Sequence, residues 1–435
     1  MAYLAWQKEA DVTQKRNNDI IYDWNEVQRR GTVIQPGFQL VDETLRDGIQ
    51  SPSVRNPDID QKLEILHLMN RCGIEVADVG LPGAGEAAVR DVTRLIEEIR
   101  DQKMNIVPNC AARTHPADIQ AVANIAQATG VEIEVCAFLG SSPVRQLVEG
   151  WDVERMVNLT TAAGDLCQRE GLPFSFVTED TTRADPRTLD TLFRAAIDHG
   201  ASRFIICDTV GHATPDGLLN LLTFTRSVIN ATGADVAIDW HGHNDRGLAV
   251  TLCLHALEYG VDRVHGTCLG VGERVGNASI DQILLNLKLL GIIDRDLSPL
   301  AEYVQSVSSY YGVSVPYNYP VFGTDAFRTA TGVHAAAIVK ALAMDRKDLA
   351  DRVYSSVSAG DFGCEQNIEI GFYSGKANIH CWLHQKGLEI TPARVDAILA
   401  VAKKSRLTLT NAQIVDALLQ AEQLTKSEAA TISPS

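Results

Sequence analysis

The sequence has no apolar run approaching the roughly 18 residues that a membrane-spanning helix needs. It has no low-complexity tract and no excess of positive charge. Against 39 Lys and Arg stand 55 Asp and Glu, a formal net charge of −16, which argues against a general nucleic-acid or anionic-membrane surface. The nine cysteines are scattered, odd in number and form no CxxC pair. That pattern favours reduced thiols over a disulfide framework or a structural zinc site. No GxGxxG follows the first strand-like segment, so a dinucleotide-binding fold has no fingerprint here. The opening MAYLAWQKEADVTQKRNND lacks the basic-then-apolar layout of a signal peptide. What is left, 45% apolar and 22% charged over 435 residues, is the composition of a globular enzyme, expected to be cytoplasmic and long enough for one large domain and a smaller one.

Short runs rich in Val, Ile and Phe recur along the first part of the chain: FQLVD (38–42), IEVADVG (74–80), NIVPNCA (105–111), EIEVCAF (132–138), PFSFVTE (173–179), RFIICD (203–208), DVAIDW (235–240) and RVHGTCLG (263–270). Segments of helical periodicity, such as DQKLEILHLMNRCG and PDGLLNLLTFTRSVINATG, separate them. Eight such βα units predict an α/β fold, a TIM (β/α)8 barrel over 35–295. An open doubly wound sheet is the runner-up, and even spacing favours closure. Residues 1–34, polar with isolated Trp6 and Trp24, are expected to form a helical N-terminal arm. Residues 296–435 are expected to hold a linker and a small α/β C-terminal region. There SPLAEYVQSVSSYYG reads as a helix, GKANIHCWLH as a strand and TPARVDAILAVAKKSRL as a Thr-capped helix.

The first strand runs into VDETLRDGIQ (41–50), placing Asp42, Glu43, Arg46 and Asp47 at its end. Buried charges need partners or a metal, and in a barrel the strand ends and the loops after them build the active site. Asp78, Arg113, Glu179, Asp208 and His241 stand at other strand ends. In HGHND (241–245), His241 and His243 lie two apart and share one strand face. They suit either a metal site or two satisfied histidines in a polar loop. With Asp47 as the third ligand the set suits Mn, Zn, Co or Mg. Asp239, of the same parity, is either an outer partner of His241 or a core aspartate. In the glycine-rich LGVGERVGNAS (269–279), Asn277 can add a neutral oxygen or cap a helix. Glu179 can serve as a base or lie in a surface ion pair, with Asp180 and Arg183 beside it. Thr209 can hold a substrate carboxylate or cap the next helix.

Taken together, DETLRDG, TED–TTR, DTVGHATPDG, HGHNDRGLAV, GVGERVGN and the later GFYSGKANIHCWLHQKGLEIT resemble the family of 2-isopropylmalate, homocitrate and citramalate synthases and hydroxymethylglutaryl-CoA lyase. The resemblance covers about residues 36 to 420. It implies a divalent metal on Asp47, His241 and His243 with Asn277 beside them, and acetyl-CoA as co-substrate. It implies Arg46 as the catalytic arginine, Thr209 as a contact for the 2-oxo acid and Glu179 as a catalytic acid. His334 in TGVHAAAIVKA matches a histidine supplied by the neighbouring subunit, which implies a homodimer. The implied activity is an acyltransfer that condenses acetyl-CoA with a 2-oxo acid, with His334 as base through Glu179. The alternatives are a carbon–carbon lyase of the hydroxymethylglutaryl-CoA type, or a homocitrate or citramalate synthase. The lyases carry a Gly-Cys-Pro loop where this chain has LGVGERVGN, and Cys268 nearby reads as a core cysteine.

Several positions depart from that family. Ile49 stands where it usually has Glu, Cys136 and Arg145 where isopropylmalate synthases commonly have histidines, and Thr329, Ala330 and Ala335 in place of His, Glu and Gln. Cys136 points to a bulkier or aromatic oxo acid such as phenylpyruvate. Arg145 points instead to one with a second anionic group. Only a short tail follows the region that matches the synthases' post-barrel segment, so no separate regulatory domain is expected.

Overall fold

The computed structural model describes residues 24–26 and 34–421. The expected N-terminal arm, Trp6 included, therefore lies almost wholly outside the described residues; Trp24–Glu26 forms one short 3-10 turn. Eight parallel strands close into a barrel in chain order. They are β1 (Gln39–Asp42), β2 (Val76–Asp78), β3 (Val107–Arg113), β4 (Glu134–Gly140), β5 (Phe174–Glu179), β6 (Ala201–Asp208), β7 (Ala237–Gly242) and β8 (Arg263–Gly266). β8 closes on β1 with Gln39 opposite Arg263 and Asp42 opposite Gly266. Each strand-like run of the sequence is thus a barrel strand. Among the described residues no helix is long and apolar enough to cross a membrane.

The helices between strands start where the sequence supplies a cap and a rigid first turn. Asp58 caps Ile59–Arg71 in a reciprocal box with Gln61, and Thr214 caps Pro215–Thr232 with proline at its start. Each strand is buried on both faces, and its two faces do different jobs. Leu40, Val135, Ala137, Phe174, Phe176, Phe204, Ile206, Trp240 and Val264 face outward and join the helices in one continuous apolar core. Phe204, for example, stacks on Phe193 with ring centroids 4.4 Å apart. The alternate residues face the barrel axis. Their lower tier is charged: Arg263 reaches Glu134 at 2.8 Å and Gln39 at 2.8 Å, and Arg203 pairs with Asp239. Higher up, Cys136, Val177, Ile205 and Cys207 make a small apolar cluster of their own, packed by Phe138.

The expected helix after the barrel is present as Leu300–Tyr311, and it pins the end of β1. Tyr303 donates its hydroxyl to Asp42 Oδ2 at 2.7 Å, and Tyr311 donates to the Thr44 carbonyl at 2.6 Å. Burial pushes the Asp42 carboxyl up to about 6, against the bonds from Thr44 and Tyr303. Asp42 is therefore a structural residue that holds the following loop in place. Cys268 is fully buried in the same core.

Beyond the barrel the strand content shrinks to a parallel pair, Arg328–Thr329 beside Asn367–Ile368. GKANIHCWLH, expected as a strand, is instead the helix Lys376–Gln385. Its buried residues, Asn378, Ile379, Trp382 and Leu383, recur at helical spacing, and the Gly375 N–H at its start donates to Asn378 Oδ1 at 3.1 Å. Pro392–Ala402 is the expected helix, with Thr391 accepting from the Arg394 N–H. These helices and Asn411–Gln420 surround a second core built on Ile379, Leu383, Ile398 and Leu418.

Candidate active site

At the C-terminal mouth of the barrel a cavity of about 250 Å³ opens between Glu43, Arg46, Asp47, Asp78, Glu179, Thr209, His241, His243 and Glu273 on its polar side. Leu81, Ala111, Cys136, Phe138, Val177, Ile205 and Cys207 form its apolar wall. The polar side comes mainly from β1, β7 and the loop after β8, the wall from β3 to β6.

The expected metal ligands converge. His241 Nε2 and His243 Nε2 lie 3.2 Å apart, and Asp47 Oδ2 stands 3.8 and 3.9 Å from them. All three side chains are buried. The glycine-rich loop folds back across the end of β7, so that His243 and Asn277 form an antiparallel bridge. Asp47 Oδ1 and Asn277 Oδ1 are both buried without a hydrogen-bond partner. Gly272, at φ +155°, leaves the room for this: a Cβ there would run into the Asn277 amide and approach Asp47 Oδ1 to 3.2 Å. Two ring nitrogens, one carboxylate and one amide oxygen, two of the oxygens unsatisfied, fit a divalent cation. Burial and the neighbouring His241 lower His243 to about 4, so its imidazole is neutral and retains a lone pair.

Glu43, His241 and His265 make a second cluster close enough to hold an ion. Here His265 faces a carboxylate on each side, Glu43 Oε1 at 2.7 Å from Nδ1 and Asp239 Oδ2 at 3.2 Å from Nε2. Both ring nitrogens are donors and neither can ligate. Burial opposes the charge on this ring, but Glu43 and Asp239 outweigh it and raise His265 to about 9. The raised value makes the pair a pH-dependent prop. Its stabilisation is complete below the unfolded value near 6.5 and is lost as pH rises through 9. Denaturant titrations of the chelator-treated protein should show stability falling by on the order of 3 kcal/mol from pH 6.5 to 9. A flat profile across that window would contradict the paired imidazolium.

Arg46 is clamped by three carboxylates: Nε to Asp78 at 2.8 Å, and its terminal nitrogens to Asp47 and Glu43 at 3.0 Å each. The clamp fixes the guanidinium at the cavity's edge. Burial raises Asp78 to about 6 although Arg46 opposes it. Thr209 Oγ1 accepts from the Asp180 N–H at 2.8 Å, which leaves its own proton free to donate into the cavity. Asp180 holds φ 57°, a left-handed conformation, and is paired to Arg183 at 2.7 Å. Burial raises the Glu179 carboxyl, with Arg145 opposing.

Arg113, Arg145, Asp239 and His334 do not line this cavity. Arg113 does not reach the cavity: its guanidinium turns outward and makes paired bonds to Asp118, both at 2.8 Å. Arg145 is absent from the cavity lining; a terminal nitrogen lies 3.3 Å from Glu149 and 3.7 Å from Glu179, while its Nε is buried without a hydrogen-bond partner. Asp239 does not touch His241 but binds Arg203 and His265. His334 is exposed in its own chain and stacks on Tyr354 at 3.9 Å between ring centroids. Glu43, Glu273 and His265 went unassigned from sequence. For Glu43 and His265 the signal was strand parity, since they continue the inward series Gln39–Val41 and Arg263.

A family model described as HMGL-like matches residues 37–307. The chain is 31% identical over 368 residues to the homocitrate synthase AksA of Methanopyrus kandleri, covering 83% of this chain and 85% of that protein. It is 30% identical over 373 residues to a probable 2-isopropylmalate synthase of the same organism, covering 84% and 69%. A homocitrate synthase of Saccharolobus islandicus is 31% identical over 392 residues, covering 89% and 80%. Among solved structures, the hydroxymethylglutaryl-CoA lyase of Pseudomonas aeruginosa superposes with a TM-score of 0.55 at 18% identity, covering 65% of this chain and 95% of that one. The HMG-CoA lyase of Brucella melitensis gives 0.52 at 15% identity, covering 63% and 99%. At such identities the structural likeness shows the fold alone.

Proposed function

From the premise that the chain belongs to the HMGL-like family, we propose that it condenses acetyl-CoA with a 2-oxo acid, giving a 2-substituted malate and CoA. The observation that carries this is the convergence of Asp47, His241 and His243 beside the clamped Arg46 at the foot of one cavity. A divalent metal held by those three residues, with Asn277 alongside, would act as a Lewis acid on the ketone of the oxo acid.

The chain's own groups account for the rest. The Thr209 hydroxyl donates to the substrate carboxylate. A base takes a proton from the acetyl methyl group, and the carbanion forms a carbon–carbon bond to the ketone carbon, whose π electrons move onto oxygen. Arg46, always charged, offsets the negative charge on that oxygen. Water then cleaves the thioester and releases CoA. Glu179, which lines the cavity and is raised by burial, is the group proposed to pass the proton, and His334 of a second copy of the chain is the base proposed to work through it.

The oxo acid is proposed to carry an apolar, bulky or aromatic side chain. Ala111, Cys136, Phe138, Val177, Ile205 and Cys207 offer that side chain contact without strong hydrogen bonds, and Arg145 stands outside this lining. A dicarboxylic oxo acid is the second reading, favoured by the identity to homocitrate synthases. Thiol release from acetyl-CoA with Mn²⁺ or Mg²⁺, followed across oxo acids from pyruvate to phenylpyruvate and 2-oxoglutarate, separates them. Fastest release with phenylpyruvate or a long alkyl analogue is expected. Fastest release with 2-oxoglutarate favours the second reading, and none with any oxo acid sinks the synthase assignment.

A further inference from the structure

The proposed metal ligands leave one neighbouring group unexplained, a buried histidine that touches none of them through a hydrogen bond. His265 lies on β8, 2% exposed, between Asp239 of β7 and Glu43 just beyond β1. Glu43 Oε1 accepts from His265 Nδ1 at 2.7 Å. The other oxygen, Oε2, is buried without a well-aligned hydrogen bond and stands 3.0 Å from His241 Nδ1 and 3.0 Å from an Arg46 terminal nitrogen. Asp239 is held in turn by Arg203 and lies 3.9 Å from Arg263, which is itself bonded to Glu134. The series Asp239–His265–Glu43–His241 therefore runs from the charged lower tier of the barrel to the foot of the cavity.

We propose that His265 is a positioning residue for the metal centre: it fixes Glu43 so that the carboxylate faces His241 Nδ1 and leaves Nε2 to ligate. The inference rests on the reading of Asp47, His241 and His243 as metal ligands. The two imidazole nitrogens of His241 are distinct, and which of them carries the proton is set by the partner of the other. A carboxylate at Nδ1 keeps that nitrogen protonated, orients the ring and makes Nε2 more basic. A free Glu43 could swing toward Arg46 alone, because Arg46 NH2 sits as close to Oε2 as His241 does. The bond from His265 to Oε1 removes that freedom. His265 thus governs the ligand from two residues away without touching metal or substrate.

Outer groups of this kind typically change metal affinity 10- to 100-fold when removed. Mn²⁺ binding followed by electron paramagnetic resonance should weaken about that much in Glu43→Gln and His265→Phe. His265→Asn, whose amide can replace the Nδ1 donor, should recover most of the loss. Nitrogen-15 spectra of histidine-labelled, metal-free protein add a readout that a purely structural role leaves unmoved. His241 should be protonated at Nδ1 in the parent and mixed between tautomers in Glu43→Gln. Should His265→Phe not fold, Glu43→Gln and His265→Asn carry the test. Parent-like Mn²⁺ affinity together with an unchanged His241 tautomer in folded Glu43→Gln overturns the proposal. Absence of Mn²⁺ binding by the parent overturns instead the metal reading on which it rests.

Discussion

Asp47→Ala and His243→Ala are each expected to lower turnover by at least ~10³-fold and to remove measurable Mn²⁺ binding. The two side chains meet at one point from different strands: His243 follows β7, and Asp47 follows β1 and is held by Arg46 at 3.0 Å. Neither has a near substitute, because Asn277 supplies only a neutral oxygen. Each substitution also opens a buried void that water can fill, so the fold should survive. Thiol release at saturating acetyl-CoA, read beside Mn²⁺ titration, tests both effects. Activity within tenfold of the parent in either variant would remove Asp47 or His243 from the centre.

The largest effect on stability is expected at Arg46. Its guanidinium is the cation shared by Glu43, Asp47 and Asp78, all buried. Arg46→Met leaves those carboxylates facing one another in a poorly solvated site. Breaking such a buried arrangement costs about 3–5 kcal/mol, and turnover falls with it because the offsetting charge is gone. The loss should shrink toward acidic pH. Burial already raises Asp78 to about 6, and without Arg46 its proton is held more tightly still, so protonation relieves the repulsion. Urea unfolding at pH 7.5 and 5.5 reads the difference. Equal costs at the two pH values would show that packing, rather than unpaired charge, accounts for the loss. Arg46→Lys keeps one charge but cannot reach three carboxylates, and should fall between the two for stability while remaining poor in turnover.

The barrel was legible because its signals are local. Each strand is buried on both sides, so every one shows as an apolar run, and helix starts carry caps such as Asp58 and Thr214. The convergence of Asp47, His241 and His243 was also legible, since a barrel brings all its strand ends to one mouth. The outward turn of Arg113 was not legible, because its place at a strand end says nothing about the segment beyond, where Asp118 takes the guanidinium. His265 was passed over because RVHGTCLG reads as core. Only the closure of β8 on β1 brings it against Glu43, a contact between residues 222 apart. GKANIHCWLH failed for a different reason: its apolar residues are few, and the helical spacing of Ile379, Trp382 and Leu383 becomes decisive only against the second core.

The alternation along β4, β5 and β6 separates two kinds of inheritance. Phe176 and Phe204 belong to the scaffold, while Val177 and Ile205, one position on, belong to the cavity wall. Neither Val177 nor Ile205 supplies a charge or a side-chain hydrogen bond to the series that orients His241, although Ile205 lies opposite Asp239 in the register of β6 and β7. A descendant could therefore exchange the wall residue by residue, changing what fits, while the reaction centre and the scaffold were passed on intact.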